Sequence, residues 1–137
     1  SWDARLDIWA FTSSLVAEHP LRGWGLDASR AFGTAIPLHP HNAAIQIWLE
    51  LGALGAALAG ALICWIGSVL TATSRVNPSL AAAGAGSLTA YLVIGALSFG
   101  VWQEWWLALG GLAAGCFVIV GRGWPGEENF ATRPALG

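Results

Sequence analysis

His39-Pro40-His41-Asn42 is the segment of this chain whose residue types and spacing best suit chemistry. Pro40 precedes a helical pattern, and Asn42 suits the cap position of that helix. His41 therefore sits at a helix N-terminus. The positive helix end works against a charged imidazole, and a neutral one can accept a proton near pH 7. A bound anion beside it would pull the other way. Arg5, Arg22 and Arg30 lie in the same N-terminal third, which also holds all three histidines. Guanidinium groups grip phosphate or carboxylate oxygens two at a time, which an ammonium does not. Glu50 lies eight residues after Asn42, about 12 Å along a helix, with Gln46 one turn earlier. An acid that deep is a functional candidate by default, and the pair faces either the bundle interior or a substrate groove. A metal site is disfavoured, because Pro40 restrains the His-x-His geometry and no Cys or carboxylate stands in register with His19. Gly23-Trp24-Gly25 lacks the strand, helix and lysine of a nucleotide loop, and no serine nucleophile elbow is visible. No cofactor is implied.

The elements that must position these groups follow from composition. The chain has 137 residues, 55% hydrophobic and only 10% charged, against roughly 25% charged in ordinary soluble domains. A net charge of −2 and six scattered arginines exclude a nucleic-acid partner, and the hydrophobicity excludes a disordered chain. Three long apolar stretches follow residue 42. They predict an all-α, polytopic membrane protein with transmembrane helices over about 42–72, 79–99 and 101–120, since a bilayer core needs about 20 helical residues. The third is short, and spans only if residues 101–104 continue the helix or the bilayer thins. Pro78 suits a helix start, and the Trp cluster around Gln103 and Glu104 suits a membrane–water interface or a sugar-stacking surface. Glycines inside the spans let helices approach closely. Cys64 and Cys116 read as packed thiols among apolar neighbours. Residues 1–41 form a loop and interfacial-helix region, and 121–137 a polar, disordered tail. Three arginines fall on each side of the spans, so charge does not orient the chain. Starting at Ser1 and lacking Met, the chain reads as an excerpt of a longer protein.

His41-Asn42, nine residues, Gly52, two residues and Gly55 together resemble a pattern of the O-antigen ligase and O-antigen polymerase superfamily. Arg5, Trp9, Pro20 and Gly23-Trp24-Gly25 resemble the Arg, Trp, Pro and Gly-x-Gly series upstream of it. The likeness covers about residues 1–60, while the last two spans fit by hydropathy alone. Ala56-Ala57 stands where ligases often carry Thr-Thr, which leaves ligase and polymerase unseparated.

The resemblance implies a C-terminal fragment of a glycosyltransferase of lipopolysaccharide or other surface-polysaccharide biosynthesis. It would move a glycan from a polyprenyl diphosphate to an acceptor sugar hydroxyl, on lipid A core or another glycan. It would sit among the lipids of the bacterial inner membrane, its site in the extracytoplasmic 1–41 region facing the periplasm and its tail in the cytoplasm. His41 would be general base or orient the acceptor. Arg5 is the firmer carry-over as catalytic cation. Arg22, Arg30, Asn42 and Glu50 would bind substrate. Fixed arginines suit charge growing on a diphosphate leaving group. The alternatives are a transporter of inorganic carbon or another small solute, or a scaffold subunit without a site. Transporters place ionisable groups near mid-membrane, whereas here they gather at one surface.

Overall fold

The computed structural model describes residues 2–123, so the expected tail from 124 onward lies outside the described residues. The elements are α1 (Trp2–Glu18), a 3-10 turn (Ala28–Phe32), α2 (Ala43–Ser74), α3 (Pro78–Leu97) and α4 (Glu104–Arg122). There is no strand among them. α2, α3 and α4 are each long and apolar enough to cross a membrane, and at most 11% of any of their apolar windows is buried. Their apolar side chains point outward, the arrangement a lipid solvent favours and water does not.

Local signals set the helix starts. Asn42 Oδ1 accepts from the N–H groups of Ala44 and Ile45, both at 3.1 Å. Asn77 Oδ1 accepts from Leu80 N at 3.0 Å, with Pro78 in the first turn, where its missing N–H costs nothing. α4 begins at Glu104, because Gln103 is extended with φ −66° and ψ 121°. It runs on to Arg122, so its 19 residues still reach about 28 Å.

α2 is not one straight rod. Gly52 has φ 63° and ψ −163°, outside any helical conformation. Unbroken, its 32 residues would extend about 48 Å. The break leaves residues 53–74 as a span of about 33 Å, matched to the ~30 Å hydrocarbon core, and sets residues 43–51 apart as a half-helix.

Gly84 is where α3 meets both neighbours: a Cβ there would stand 2.6 Å from Leu70 Cδ2 and 2.7 Å from Phe117 Cε2. Other span glycines, Gly60, Gly86, Gly111 and Gly115, face open space. Cys64 and Cys116, expected to be packed, are exposed on the outer surfaces of their helices. Three helices cannot enclose every apolar face, and both thiols fall on the outside. Where α1, the 19–41 connection and the α2 half-helix meet, Leu15, Ile36 and Leu49 form a small core, flanked by Ile8, Val16 and Phe32. Full burial of Ile36 and Leu49 contributes about 1.5–3 kcal/mol each and fixes α1 and the connection against the α2 half-helix.

Candidate functional site

The connection is threaded through the break in α2. A helix broken at Gly52 leaves carbonyls above the break and N–H groups below it without intrahelical partners. The segment Pro20–Gly25 supplies them. Trp24 N donates to Leu49 O at 2.8 Å and Gly25 N to Glu50 O at 2.9 Å, while Ala53 N donates to Pro20 O at 2.8 Å. Contact this close leaves no room for side chains. A Cβ on Gly23 would lie 2.6 Å from Gly52 N, and one on Gly52 would lie 2.6 Å from Arg22 N. Both glycines also have positive φ, 68° and 63°, which L residues adopt at a cost. Trp24 Nε1 donates to Leu15 O and Trp48 Nε1 to Pro20 O, pinning the threaded segment on both sides.

Past the 3-10 turn the connection ends at the histidine loop. His41 adopts φ 56°, an unusual conformation for a residue with a Cβ. Three bonds hold it there. Trp9 Nε1 donates to Pro40 O at 2.8 Å, His41 N donates to His39 Nδ1 at 3.2 Å, and His41 Nδ1 meets Ser98 O at 2.9 Å. A carbonyl only accepts, so the proton of a neutral His41 ring resides on Nδ1. Its Nε2 is left as the lone-pair nitrogen, the form a general base requires.

Arg5 arrives at the same place from α1. Its guanidinium donates to Leu97 O at 2.8 Å and lies 5.3 Å from the centroid of the Trp2 ring. Leu97 ends α3, where a cation complements the helix dipole. Arg30 pairs with Asp27 at 2.9 Å, both side chains more than half exposed. Its charge acts on His39, whose ring centroid is 4.2 Å from that of His41. Arg22 is exposed on the threaded segment, ten residues down α2 from Asn42, or about 15 Å by helical rise. Asn42 uses its Oδ1 to cap α2. Arg5 and His41 thus meet at the C-terminal end of α3, while Arg30 pairs with Asp27 and Arg22 lies on the threaded segment beside Gly52.

Glu50 is fully buried. Its Oε2 accepts from Asp27 N at 2.9 Å and from Trp102 Nε1. Its Oε1 accepts from Ser29 Oγ at 2.8 Å, Gln46 Nε2 at 3.1 Å and Ser29 N at 3.4 Å. Gln46 Oε1 in turn accepts from Val101 N at 3.0 Å. Of the two alternatives, this pair faces the protein interior.

His39 is buried against Gly100, where a Cβ would lie 2.9 Å from its ring. Burial lowers its pKa below the ordinary 6.5, helped by the His41 ring and the Arg30 guanidinium. Its Nδ1 accepts from His41, so its own proton is on Nε2, which faces the Gln103 amide at 3.5 Å. Turning that amide over gives Gln103 Oε1, buried without another partner, the Nε2–H it can accept.

Sequence reading missed the α3–α4 linker. Ser98 acts through a backbone carbonyl, which leaves no mark on residue type. Trp102 and Gln103 carry a visible signal, polar groups amid aromatics, but one that suits a membrane–water interface or a sugar-stacking surface equally.

Residues 1–60 match the O-antigen ligase family. A Rickettsia prowazekii protein named as a candidate polysaccharide ligase is 33% identical, the match covering 77% of this chain and 29% of that protein. Namesakes from Rickettsia conorii and Rickettsia bellii are 32% and 34% identical, with 77% and 76% of this chain covered. The chain spans less than a third of the length of these relatives, 29% and 28% for the latter two. No solved structure matches the chain.

Proposed function

The chain belongs to the O-antigen ligase family through its first 60 residues, and on that premise we propose that Arg5 and His41 serve glycosyl transfer in polysaccharide assembly at a membrane. The donor is a glycan on a polyprenyl diphosphate, and the acceptor is a sugar hydroxyl of lipid A core or of another glycan. The observation that carries this reading is the His41–Ser98 hydrogen bond at 2.9 Å. It supports an imidazole with a basic Nε2 beside a fixed guanidinium.

In the proposed step the acceptor oxygen attacks the anomeric carbon as its proton passes to His41 Nε2. A new C–O bond forms, and the bond from the anomeric carbon to the diphosphate oxygen breaks. The electron pair leaves with the lipid diphosphate, whose growing negative charge Arg5 stabilises, with Arg30 and Arg22 as further phosphate or glycan contacts. Asn42, whose Oδ1 is committed to capping α2, offers its amide N–H to an acceptor hydroxyl in this reading. A direct attack needs no second carboxylate, and it inverts the anomeric centre. The site lies on the periplasmic side of the inner membrane in this reading.

The break in α2 beside Glu50 is the one feature that favours a transporter, because discontinuous helices often form solute sites. Here Pro20–Gly25 occupies the break and takes its free backbone groups, which favours the enzyme reading. The test is to incubate the complete protein, in proteoliposomes, with a lipid-diphosphate-linked oligosaccharide and a sugar acceptor. A product of inverted anomeric configuration supports the proposal. A retained configuration, or no transfer by the complete protein, contradicts it.

A further inference from the structure

Glu50 is a buried titratable group for which the step above has no task. Each of its five donors is a protein group, so no substrate is required to complete it. Two of its contacts lead toward His41. Trp102 donates to it directly, and Gln46 both donates to it and accepts from Val101 N. Trp102 and Val101 belong to the short linker of residues 98–103, which has no helical structure to hold it. That linker carries Ser98, whose carbonyl takes the Nδ1–H of His41, and Gly100, against which His39 packs.

We infer that Glu50 is a positioning residue: through Trp102 and Gln46 it holds the α3–α4 linker, and the linker's Ser98 carbonyl sets the tautomer and direction of the His41 ring. Free imidazole has no such constraint, and a shift of about 1 Å in a reacting group can cost on the order of 100-fold in rate. The catalytic part of this inference rests on His41 as the base; the structural part does not.

Removing Glu50 outright would strand five donors in a buried space, so Glu50→Ala is expected to misfold. Trp102→Phe is the informative variant. It deletes the N–H that Glu50 accepts and keeps an aromatic ring, a smaller one, in its place. Glu50→Gln is its companion, because an amide matches only one of the two donor groups and releases the other.

The experiment takes the complete protein in detergent with 15N-labelled histidine, at a pH where its imidazoles are neutral. The wild type should show the Nδ1–H tautomer for His41, assigned by loss of that signal in His41→Asn. Trp102→Phe should fold, shift His41 toward the Nε2–H form and lower kcat about 10- to 100-fold, with KM for the lipid-linked oligosaccharide unchanged. Glu50→Gln should do the same. An unaltered tautomer in both variants overturns the inference, as does a rise in KM alone, which would make Glu50 a substrate ligand. Failure of the His41 reading is separate: it shows as full transfer by His41→Asn, whatever the tautomer does.

Discussion

Arg5 and His41 bind successive carbonyls at the end of α3. The guanidinium takes Leu97 O at 2.8 Å and the imidazole Nδ1–H takes Ser98 O at 2.9 Å. Residues 36 positions apart in the sequence are thereby held by two adjacent peptide units. The guanidinium and the imidazole thus share one short stretch of backbone, and the imidazole keeps its Nε2 free of that bond for the proposed reaction.

Arg5→Ala should abolish transfer while expression and membrane insertion persist, and Arg5→Lys should recover only a small part of it. A point charge restores the dipole interaction but not the two-pronged grip on phosphate oxygens. Stability should fall by no more than about 0.3–1 kcal/mol, the usual worth of a cation at a helix C-terminus. Transfer assays on matched membrane fractions check this, and wild-type activity in Arg5→Lys would contradict it.

Gly23→Ala and Gly52→Ala should each prevent the threaded segment from docking. Both positions combine a positive φ with a neighbouring backbone atom 2.6 Å from the would-be Cβ, and the positive φ alone costs about 1–3 kcal/mol. The double variant should be little worse than either single one, because the two share one contact. Thermal unfolding in detergent measures this. Gly60→Ala, in open space, is the control and should behave as wild type.

His39 makes stability depend on pH. Its folded pKa lies below the ordinary 6.5 because of burial first, then His41 and Arg30. Below 6.5 the unfolded chain therefore binds more protons than the folded one, and stability rises with pH. The full contribution is present above about pH 6.5. It is lost as pH falls from there toward the lowered folded value, and levels off below it. His39→Gln should flatten that slope in a series of unfolding midpoints from pH 5 to 8, whereas an unchanged slope would assign it elsewhere.

Much of the frame was legible in the residues. Three uncharged runs marked the spans, Asn42 and Pro78 marked helix starts, and the His41-to-Gly55 spacing marked the family. The break at Gly52 was not, because apolar residues continue through Leu49, Leu51 and Leu54 as they would in one helix. The backbone turns there only because Pro20–Gly25 docks against it, a tertiary contact that leaves no trace in local periodicity. Gly23 and Gly52 were visible as motif positions, but their mutual contact was not. Glu50 stood out as a deep acid, yet a carboxylate that grips substrate and one that grips Trp102 and Ser29 look alike in sequence. Arg30 and Arg22 were grouped with Arg5 by their place in the chain. Folding separates Arg22 because it travels with the threaded segment.

The most direct test of the account is His41→Asn in the complete protein. Asparagine tolerates a positive φ, and its amide can still donate toward Ser98 O, so the loop should keep its shape and the unfolding midpoint should hardly move. It has no counterpart of the Nε2 lone pair. Single-turnover transfer from a lipid-diphosphate-linked oligosaccharide should fall by about 10²- to 10⁴-fold, the usual worth of a general base. Transfer at the wild-type rate by a folded His41→Asn protein would contradict the account.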